Sequence, residues 1–252
     1  MRARGYQPFG ASKEQDQLLD AVLDRAKEGN VIVFDLDGCL FDSRYRQIPI
    51  FHTFAAQHNI PQLFRVELSH FTDWDMKKPM SLAGLSNEEI EKIFPVFRSF
   101  WSKRFFSDEW VSKDHAMPGA KELVEECHQR GAYIVYLTGR DDRMRLGTEQ
   151  GLRLFGFPYD RPRTQLITKP KFQLNDEDYK VKELDGIRAL GQIVAFIDNE
   201  PINVNRFREN CPDSLVLWIE TDHSPRDIEP HEKIPALRSF YRSTWAGAEK
   251  AN

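Results

Sequence analysis

The 252-residue sequence predicts an α/β fold built on an open parallel β-sheet. Five short segments are almost continuously apolar, as strands covered on both faces of a parallel sheet are. Segments with helical periodicity separate them, and this alternation favours right-handed crossovers between parallel strands. The predicted strands are 31–34, 133–137, 164–168, 193–197 and 215–219.

Helical patterns precede and separate these strands. Ser12 and Gln15 have the spacing of a capping box, and the apolar stripe that follows predicts a first helix over residues 12–28. Apolar residues at helical spacing predict three further helices between the later strands. These helices cover residues 121–130, 142–154 and 181–190.

A long stretch between Leu40 and Pro118 contains no segment typical of a buried strand. Its pattern is aromatic and helical, and it includes a second capping box that begins at Ser86. Pro95 lies inside the helix predicted after this box, where we expect it to kink or split the helix. We therefore predict a helical domain at residues 43–111, inserted into a core formed by residues 1–42 and 112–252.

Composition excludes several classes of protein. The 35 basic and 39 acidic residues give a net charge of −4, whereas a dedicated nucleic-acid-binding protein is usually basic. No apolar segment approaches the roughly 20 residues of a membrane span. The N-terminal residues also lack the apolar stretch that is typical of a secretory signal. Three scattered cysteines are too few for a disulfide framework or a zinc cluster. We therefore expect a cytoplasmic protein with no membrane partner and no nucleic acid partner; the sequence does not predict its oligomeric state.

Two carboxylates follow the first predicted strand at once. Asp35 and Asp37 are two residues apart, and Gly38 then allows the chain to turn. Ligands of open α/β sheets bind beyond the carboxyl ends of the strands. This acidic pair is therefore a candidate reactive site.

Polar residues also follow other strands. The second strand leads into Thr138-Gly139-Arg140, where a hydroxyl and a backbone N–H suit a phosphate oxygen. The fourth strand leads into Asp198-Asn199-Glu200, whose oxygen atoms suit a hard cation such as Mg²⁺. Two lysines, Lys180 and Lys182, precede the fourth strand, and either could offset phosphate charge.

These elements, in this order, resemble the motifs of the haloacid dehalogenase superfamily. The superfamily carries an Asp-x-Asp pair after the first strand, a Thr or Ser after the second, a Lys, and acidic residues after the fourth. The resemblance covers residues 31–42 and 112–220 and implies a Rossmann-like core. It identifies the motif lysine as Lys182, at the start of a predicted helix, with Lys180 as the alternative.

The resemblance also implies the roles of the site residues. Asp35 would be the nucleophile that forms an aspartyl-phosphate, and Asp37 the general acid and base. Mg²⁺ would be held by Asp35, by the backbone carbonyl of Asp37 and by Asp198. Thr138 and Lys182 would hold the phosphoryl oxygens, with Gly139 and Arg140 as further substrate-binding residues. The sequence departs from many relatives at Asn199, where a second aspartate is common, so the roles of Asn199 and Glu200 toward the metal stay open.

The expected activity is a magnesium-dependent phosphatase acting on a small phosphorylated metabolite. Asp37 favours phosphoryl chemistry over carbon–halogen cleavage, because a halide needs no acid to leave. The insertion at 43–111 would then be a helical cap over the site, of the type inserted after the first strand. Arg44 and Arg46 follow the catalytic loop, and Arg44 is the candidate for contact with the substrate. Three alternatives remain: a polynucleotide 3′-phosphatase, a phosphomutase, and a non-catalytic phosphate-binding regulatory module.

Overall fold

A computed structural model describes residues 12–244. These residues form an α/β core and a helical unit that leaves the core after the first strand and rejoins it before the second long strand. The strands are β1 (Asn30–Phe34), β2 (Phe41–Asp42), β3 (His115–Ala116), β4 (Tyr133–Asp141), β5 (Thr164–Lys169), β6 (Gln192–Asp198), β7 (Leu215–Ile219) and β8 (Ala236–Leu237).

The α-helices alternate with the long strands, and short 3-10 turns join some of them. The helices are α1 (Lys13–Leu23), α2 (Arg44–His58), α3 (Lys77–Leu82), α4 (Asn87–Phe105), α5 (Asp108–Val111), α6 (Ala120–Gln129), α7 (Arg145–Leu154), α8 (Asp176–Lys182), α9 (Leu184–Arg188) and α10 (Pro201–Asn210). No helix among residues 12–244 combines the length and apolar character that crossing a membrane requires.

The core sheet is parallel throughout, with the strand order β5-β4-β1-β6-β7-β8. The predicted α/β class and its five strands are therefore confirmed. Central strand β1 pairs with β4 on one side and with β6 on the other. Edge strand β8 was not predicted, because a strand of two residues is too short to show an apolar pattern.

Helices cover both faces of this sheet, which explains the continuous apolar runs. Ile32 and Phe34 of β1 join the core that includes α1 and α6, while Val31 and Val33 join the core that includes α9 and α10. Successive side chains of a strand point to opposite faces, so a strand buried on both sides needs apolar residues at every position.

Several boundaries differ from the sequence prediction. Helix α1 begins as expected, with the Ser12 hydroxyl accepting from the backbone of Gln15, but it ends at Leu23 rather than near residue 28. Strand β4 continues through Asp141, so Thr138-Gly139-Arg140 lies within the strand end rather than in a loop. The predicted helix over 181–190 is instead two short helices, α8 and α9.

The residues between β2 and β3 form a helical unit with an apolar core of its own. Phe51 and Phe54 of α2 pack against Phe97 of α4 at its centre. Helix α4 runs unbroken through Pro95, so the expected split does not occur. Pro95 is exposed, and the carbonyl that loses its helical donor can therefore bind water. The short antiparallel pair β2–β3 ties the two connections of this unit to each other.

Candidate active site

Two buried carboxylates meet at one edge of the sheet. Asp35 directly follows β1, and Asp198 ends the neighbouring strand β6. The ammonium of Lys180 lies between them, 2.5 Å from Asp35 Oδ1 and 2.7 Å from Asp198 Oδ2. All three residues are at most 4% exposed. The strand ends and helix α8 thus bring together three groups that are far apart in sequence.

The lysine in this position is Lys180, not Lys182. Both belong to α8, where residues two apart point about 200° away from each other. Lys180 therefore faces the sheet edge, while the side chain of Lys182 is exposed to solvent. The expectation for Lys182 fails because helix α8 starts at Asp176, five residues earlier than predicted, which changes the face on which each lysine lies.

The ammonium of Lys180 contacts both carboxylates. Burial would lower the pKa of Lys180, but Asp198 and Asp35 outweigh it and hold that pKa above its ordinary value. The lysine is therefore charged, whereas burial raises the pKa of Asp35 well above its ordinary value although Lys180 opposes that shift. Asp198 is further fixed by the backbone N–H of Glu200 and by the Asn203 amide, at 2.8 and 2.9 Å.

The donor set at this edge fits a hard cation such as Mg²⁺. Among the described residues, no donor contacts Asp35 Oδ2, and the buried Oδ1 of Asn199 also has no hydrogen-bond partner. No three His, Cys, Asp or Glu side chains within residues 12–244 cluster as a metal site. A cation would therefore depend on two carboxylates together with carbonyl oxygens, which is chemistry that Mg²⁺ accepts.

A glycine turn brings Asn199 close to the loop after β1. Gly38 has a positive φ of 72°, and a Cβ at this position would collide with the Asn199 side-chain amide. That amide donates to the Asp222 carbonyl at 2.6 Å, while the Thr221 hydroxyl donates to the Gly38 carbonyl. Only glycine allows both the turn and this close approach.

Asp37 lies beside the pair of carboxylates but is held by arginines. Arg140 contacts both of its oxygens, at 2.7 and 2.9 Å, and Arg46 contacts Oδ1 at 2.6 Å. Burial would raise the pKa of Asp37, but Arg140 and Arg46 outweigh it and hold that pKa well below its ordinary value. In this arrangement Asp37 is ionised.

A further carboxylate, the buried side chain of Asp114, completes this group of charges. Asp114 accepts from Arg46 at 2.9 and 3.0 Å and from Arg140 at 2.7 Å. Burial raises the pKa of Asp114 to about 6, although both arginines oppose that shift. Two guanidinium groups and two carboxylates therefore alternate, and we call Asp37, Arg46, Asp114 and Arg140 the charge quartet.

The charge quartet joins the helical unit to the core. Arg46 lies in the first turn of α2, just after the first connection, and Asp114 lies in the second connection. Arg140 comes from core strand β4. A displacement of the helical unit would therefore change the contacts of Asp37.

Arg44, the arginine chosen from the sequence, is engaged elsewhere. Its guanidinium binds Asp42 at 2.7–3.1 Å and is buried there. Arg46, two residues later on α2, points the other way and reaches Asp37. Sequence reasoning noted both arginines but could not assign the helical phase; it missed Asp114, because a lone aspartate before a two-residue strand carries no signal.

Thr138 and Gly139 lie at the end of β4, next to β1. Thr138 is fully buried, and its hydroxyl accepts from the backbone of Arg140 at 3.2 Å. A side chain on Gly139 would collide with the carboxylate of Asp176 at the start of α8. The structure thus brings Asp35, Thr138 and Asp198 to the ends of three adjacent parallel strands.

Comparison with known proteins agrees with this geometry. Residues 97–199 match the family model of the haloacid dehalogenase superfamily, subfamily IIIB (acid phosphatase). This range includes Thr138, Lys180 and Asp198, and it begins after Asp35 and Asp37. A comparison with curated proteins gives no match.

Solved structures share the fold at low sequence identity. A subfamily IA, variant 1, hydrolase of the same superfamily from Geobacter sulfurreducens has a TM-score of 0.51 at 14% identity, over 80% of this chain and 93% of that one. A superfamily hydrolase from Ehrlichia chaffeensis has a TM-score of 0.50 at 15% identity, over 85% and 94%. Protein tyrosine kinase A from Mycobacterium tuberculosis has a TM-score of 0.51 at 15% identity, over 83% and 93%.

The parallel sheet, the order of polar residues at its strand ends and the matched family model all agree. Residues 97–199 are therefore similar to the acid phosphatase family of the haloacid dehalogenase superfamily, and the chain shares its fold with solved hydrolases of that superfamily.

Proposed function

We propose that this protein is a magnesium-dependent phosphatase that hydrolyses a small phosphorylated metabolite through an aspartyl-phosphate on Asp35. The contact of Lys180 with both Asp35 and Asp198 is the observation that carries the proposal. It leaves one Asp35 oxygen without a donor, at the same edge as the buried Thr138 hydroxyl. A nucleophile, a cation and a hydroxyl donor are the groups that phosphoryl transfer needs.

In the first step, the free oxygen of Asp35 attacks phosphorus, and the bond from phosphorus to the ester oxygen breaks. Lys180 and Thr138 are placed to bind the phosphoryl oxygens and offset the charge that develops on them. Water then attacks the phosphorus of the aspartyl-phosphate, which releases inorganic phosphate and restores the carboxylate. The covalent intermediate divides one difficult displacement into two easier ones.

The residues that would hold Mg²⁺ are Asp35, Asp198 and the backbone carbonyl of Asp37, with the free oxygen of Asn199 beside them. When bound, the ion supplies the positive charge that lets an anionic nucleophile approach an anionic phosphate. Lys180 is one cation beside two buried carboxylates, and burial raises the pKa of Asp35, so a bound Mg²⁺ would favour the ionised form of that carboxylate.

Asp37 would protonate the leaving oxygen and later accept a proton from the attacking water. As an acid it must first be freed from Arg46 and Arg140, which hold it ionised. A phosphate dianion in the site competes for the same guanidinium groups, because arginine binds phosphate as readily as carboxylate. We infer that substrate binding loosens the charge quartet and raises the proton affinity of Asp37.

The helical insertion at 43–111 would act as the cap that closes over this edge and limits substrates to small esters. Its first helix supplies Arg46, which contacts Asp37 directly. We further propose a cytoplasmic location, in keeping with three unpaired, buried cysteines. A polymer chain or a folded phosphoprotein would not fit under such a cap.

Released phosphate, measured over a panel of phosphorylated metabolites with Mg²⁺, tests this proposal. The panel should include a sugar phosphate, a nucleoside monophosphate and a 3′-phosphorylated oligonucleotide. We expect turnover of at least one small ester and little on the oligonucleotide. Transfer to an added alcohol instead of water would indicate a phosphomutase, and phosphate binding without turnover would indicate a regulatory module; either result contradicts the proposal.

Replacing Asp198, a proposed ligand of Mg²⁺, tests the metal site. We expect Asp198→Asn to weaken Mg²⁺ binding about 10- to 100-fold in calorimetry, because an anionic oxygen ligand is lost. Excess chelator should abolish phosphate release from the unmodified protein, and Mg²⁺ should restore it. Glu200→Gln is the control, since its carboxylate contacts Ser224 and not Asp35. Full activity in excess chelator would contradict the metal requirement.

A further inference from the structure

Beside the charge quartet, two aromatic rings meet across the junction of the helical unit and the core. Phe106, just after α4, contacts Phe172 of core loop 170–175 edge to face, with ring centroids 4.9 Å apart. We propose that Phe106 and Phe172 form a subsite for a planar aromatic group on the ester side of the substrate. This subsite rests on the proposed function, because it assigns the class of leaving group that the phosphatase accepts.

Phe106 is connected to the candidate active site through its neighbour. The guanidinium of Arg46, which binds Asp37, stacks 4.0 Å from the ring of Phe105 and donates to the Phe105 carbonyl at 2.6 Å. Phe105 also stacks on Trp101, with ring centroids 4.4 Å apart. Phe106 contacts both of these rings edge to face, and it is the ring that also meets Phe172 of the core loop.

Phe172 is connected to the site from the core side. The buried ammonium of Lys169 binds the carbonyls of Phe172 and Leu174, at 3.2 and 2.9 Å, together with the carboxylate of Asp176. That carboxylate packs against Gly139, next to Thr138. Burying a lysine is costly unless its ammonium has partners, and these three contacts supply them while they place loop 170–175 beside the strand end that carries Thr138.

Loop 170–175 exposes two apolar side chains to solvent. Phe172 is 44% exposed and Leu174 is 42% exposed. The contacts of Lys169 engage the backbone of this loop and the carboxylate of Asp176, and they leave the side chains of Phe172 and Leu174 at the surface. An aromatic group that enters beside Phe172 would cover this surface and extend the edge-to-face cluster with Phe106.

The chemistry of these rings favours a flat aromatic group over an aliphatic group of equal size. Aromatic pairs with centroids 4.5–7 Å apart gain attraction beyond the area they bury. This gain corresponds to about a 2- to 12-fold difference in affinity between a planar ring and a saturated ring. Arg143, whose guanidinium lies 5.5 Å from the Phe172 centroid, adds a cation beside the same ring.

Calorimetry with two phosphonates that cannot be hydrolysed tests the subsite directly. We would compare 2-phenylethylphosphonate with 2-cyclohexylethylphosphonate on the whole protein with Mg²⁺; the two share the linker and a six-carbon ring, which is aromatic and planar in the first and saturated and puckered in the second. The unmodified protein should bind the phenyl compound about 2- to 12-fold more tightly. Phe172→Leu should reduce that ratio to near one while leaving the affinity for inorganic phosphate unchanged.

The control variant is Phe64→Leu, which changes another half-exposed phenylalanine, in the helical unit at the turn after α2. It should keep the full preference for the phenyl compound. Equal affinities in the unmodified protein, no binding of either compound, or a preference retained in both Phe172→Leu and Phe106→Leu would overturn the subsite. Because phosphonates are not turned over, this result is independent of the phosphate-release assay that tests the proposed function.

Discussion

Lys180→Met should destabilise the protein and nearly abolish phosphate release. The substitution removes the ammonium that contacts both Asp35 and Asp198 and leaves two carboxylates buried together. Loss of one partner of a buried ion pair typically costs about 3–5 kcal/mol of unfolding free energy. Loss of one group that stabilises transition-state charge typically lowers kcat by about 10²–10³-fold. Urea unfolding in excess chelator and phosphate release with Mg²⁺ would measure the two effects.

Lys182→Met is the matched control for this experiment. It makes the same change on the same helix, but the side chain is exposed and contacts neither carboxylate. We expect its unfolding free energy to stay within about 0.5 kcal/mol and its activity to be unaffected. If the two variants lost activity equally, Lys180 would not be the group that binds the phosphoryl oxygens.

Arg46→Lys should impair proton transfer more than phosphate binding. A lysine keeps the charge, but its single nitrogen cannot contact Asp37, both oxygens of Asp114 and the Phe105 carbonyl at once. Hydrogen bonds to charged groups contribute about 1.5–3 kcal/mol each, so we expect the unfolding free energy to fall by about 3 kcal/mol. We expect kcat to fall about 100-fold on an alkyl phosphate, because Asp37 loses a contact that positions it even though its proton affinity rises. The loss should be far smaller on an aryl phosphate, whose leaving group needs little protonation.

The exposed Arg98 of α4 provides the control for this change. Arg98→Lys keeps the same chemistry on a surface with no role in the site, and both ester types should retain their rates. Arg46→Lys would act only through folding if it slowed alkyl and aryl phosphates by equal factors. That result would contradict a role for Arg46 in positioning Asp37.

The sequence predicted the core better than the side-chain directions around the site. Buried parallel strands need apolar residues at every position, and polar residues must gather where those strands end. The predicted strand ends therefore placed Asp35, Thr138 and Asp198 at one edge of the sheet, as observed, whereas their roles came from the family resemblance. Edge strand β8 and the pair β2–β3 are too short to carry a periodic pattern.

Helical phase explains what the sequence could not predict. Lys180 and Lys182 are two residues apart on one helix, as Arg44 and Arg46 are on another, and in each pair only one member reaches the site. An error of a few residues in where a helix begins reverses such a choice. Asp114 joins the charge quartet from the second connection of the helical unit, a contact between residues too distant in sequence for any local pattern to show.

Chemical trapping of the aspartyl-phosphate tests the central claim most directly. The protein would be mixed with a good substrate and Mg²⁺ and quenched with borohydride, which reduces an acyl phosphate to an alcohol and leaves free carboxylates unchanged. Peptide mass spectrometry should then find homoserine in place of Asp35, only when both substrate and Mg²⁺ were present. Steady phosphate release under the same conditions with Asp35 unchanged, or with the reduced residue elsewhere, would contradict the account.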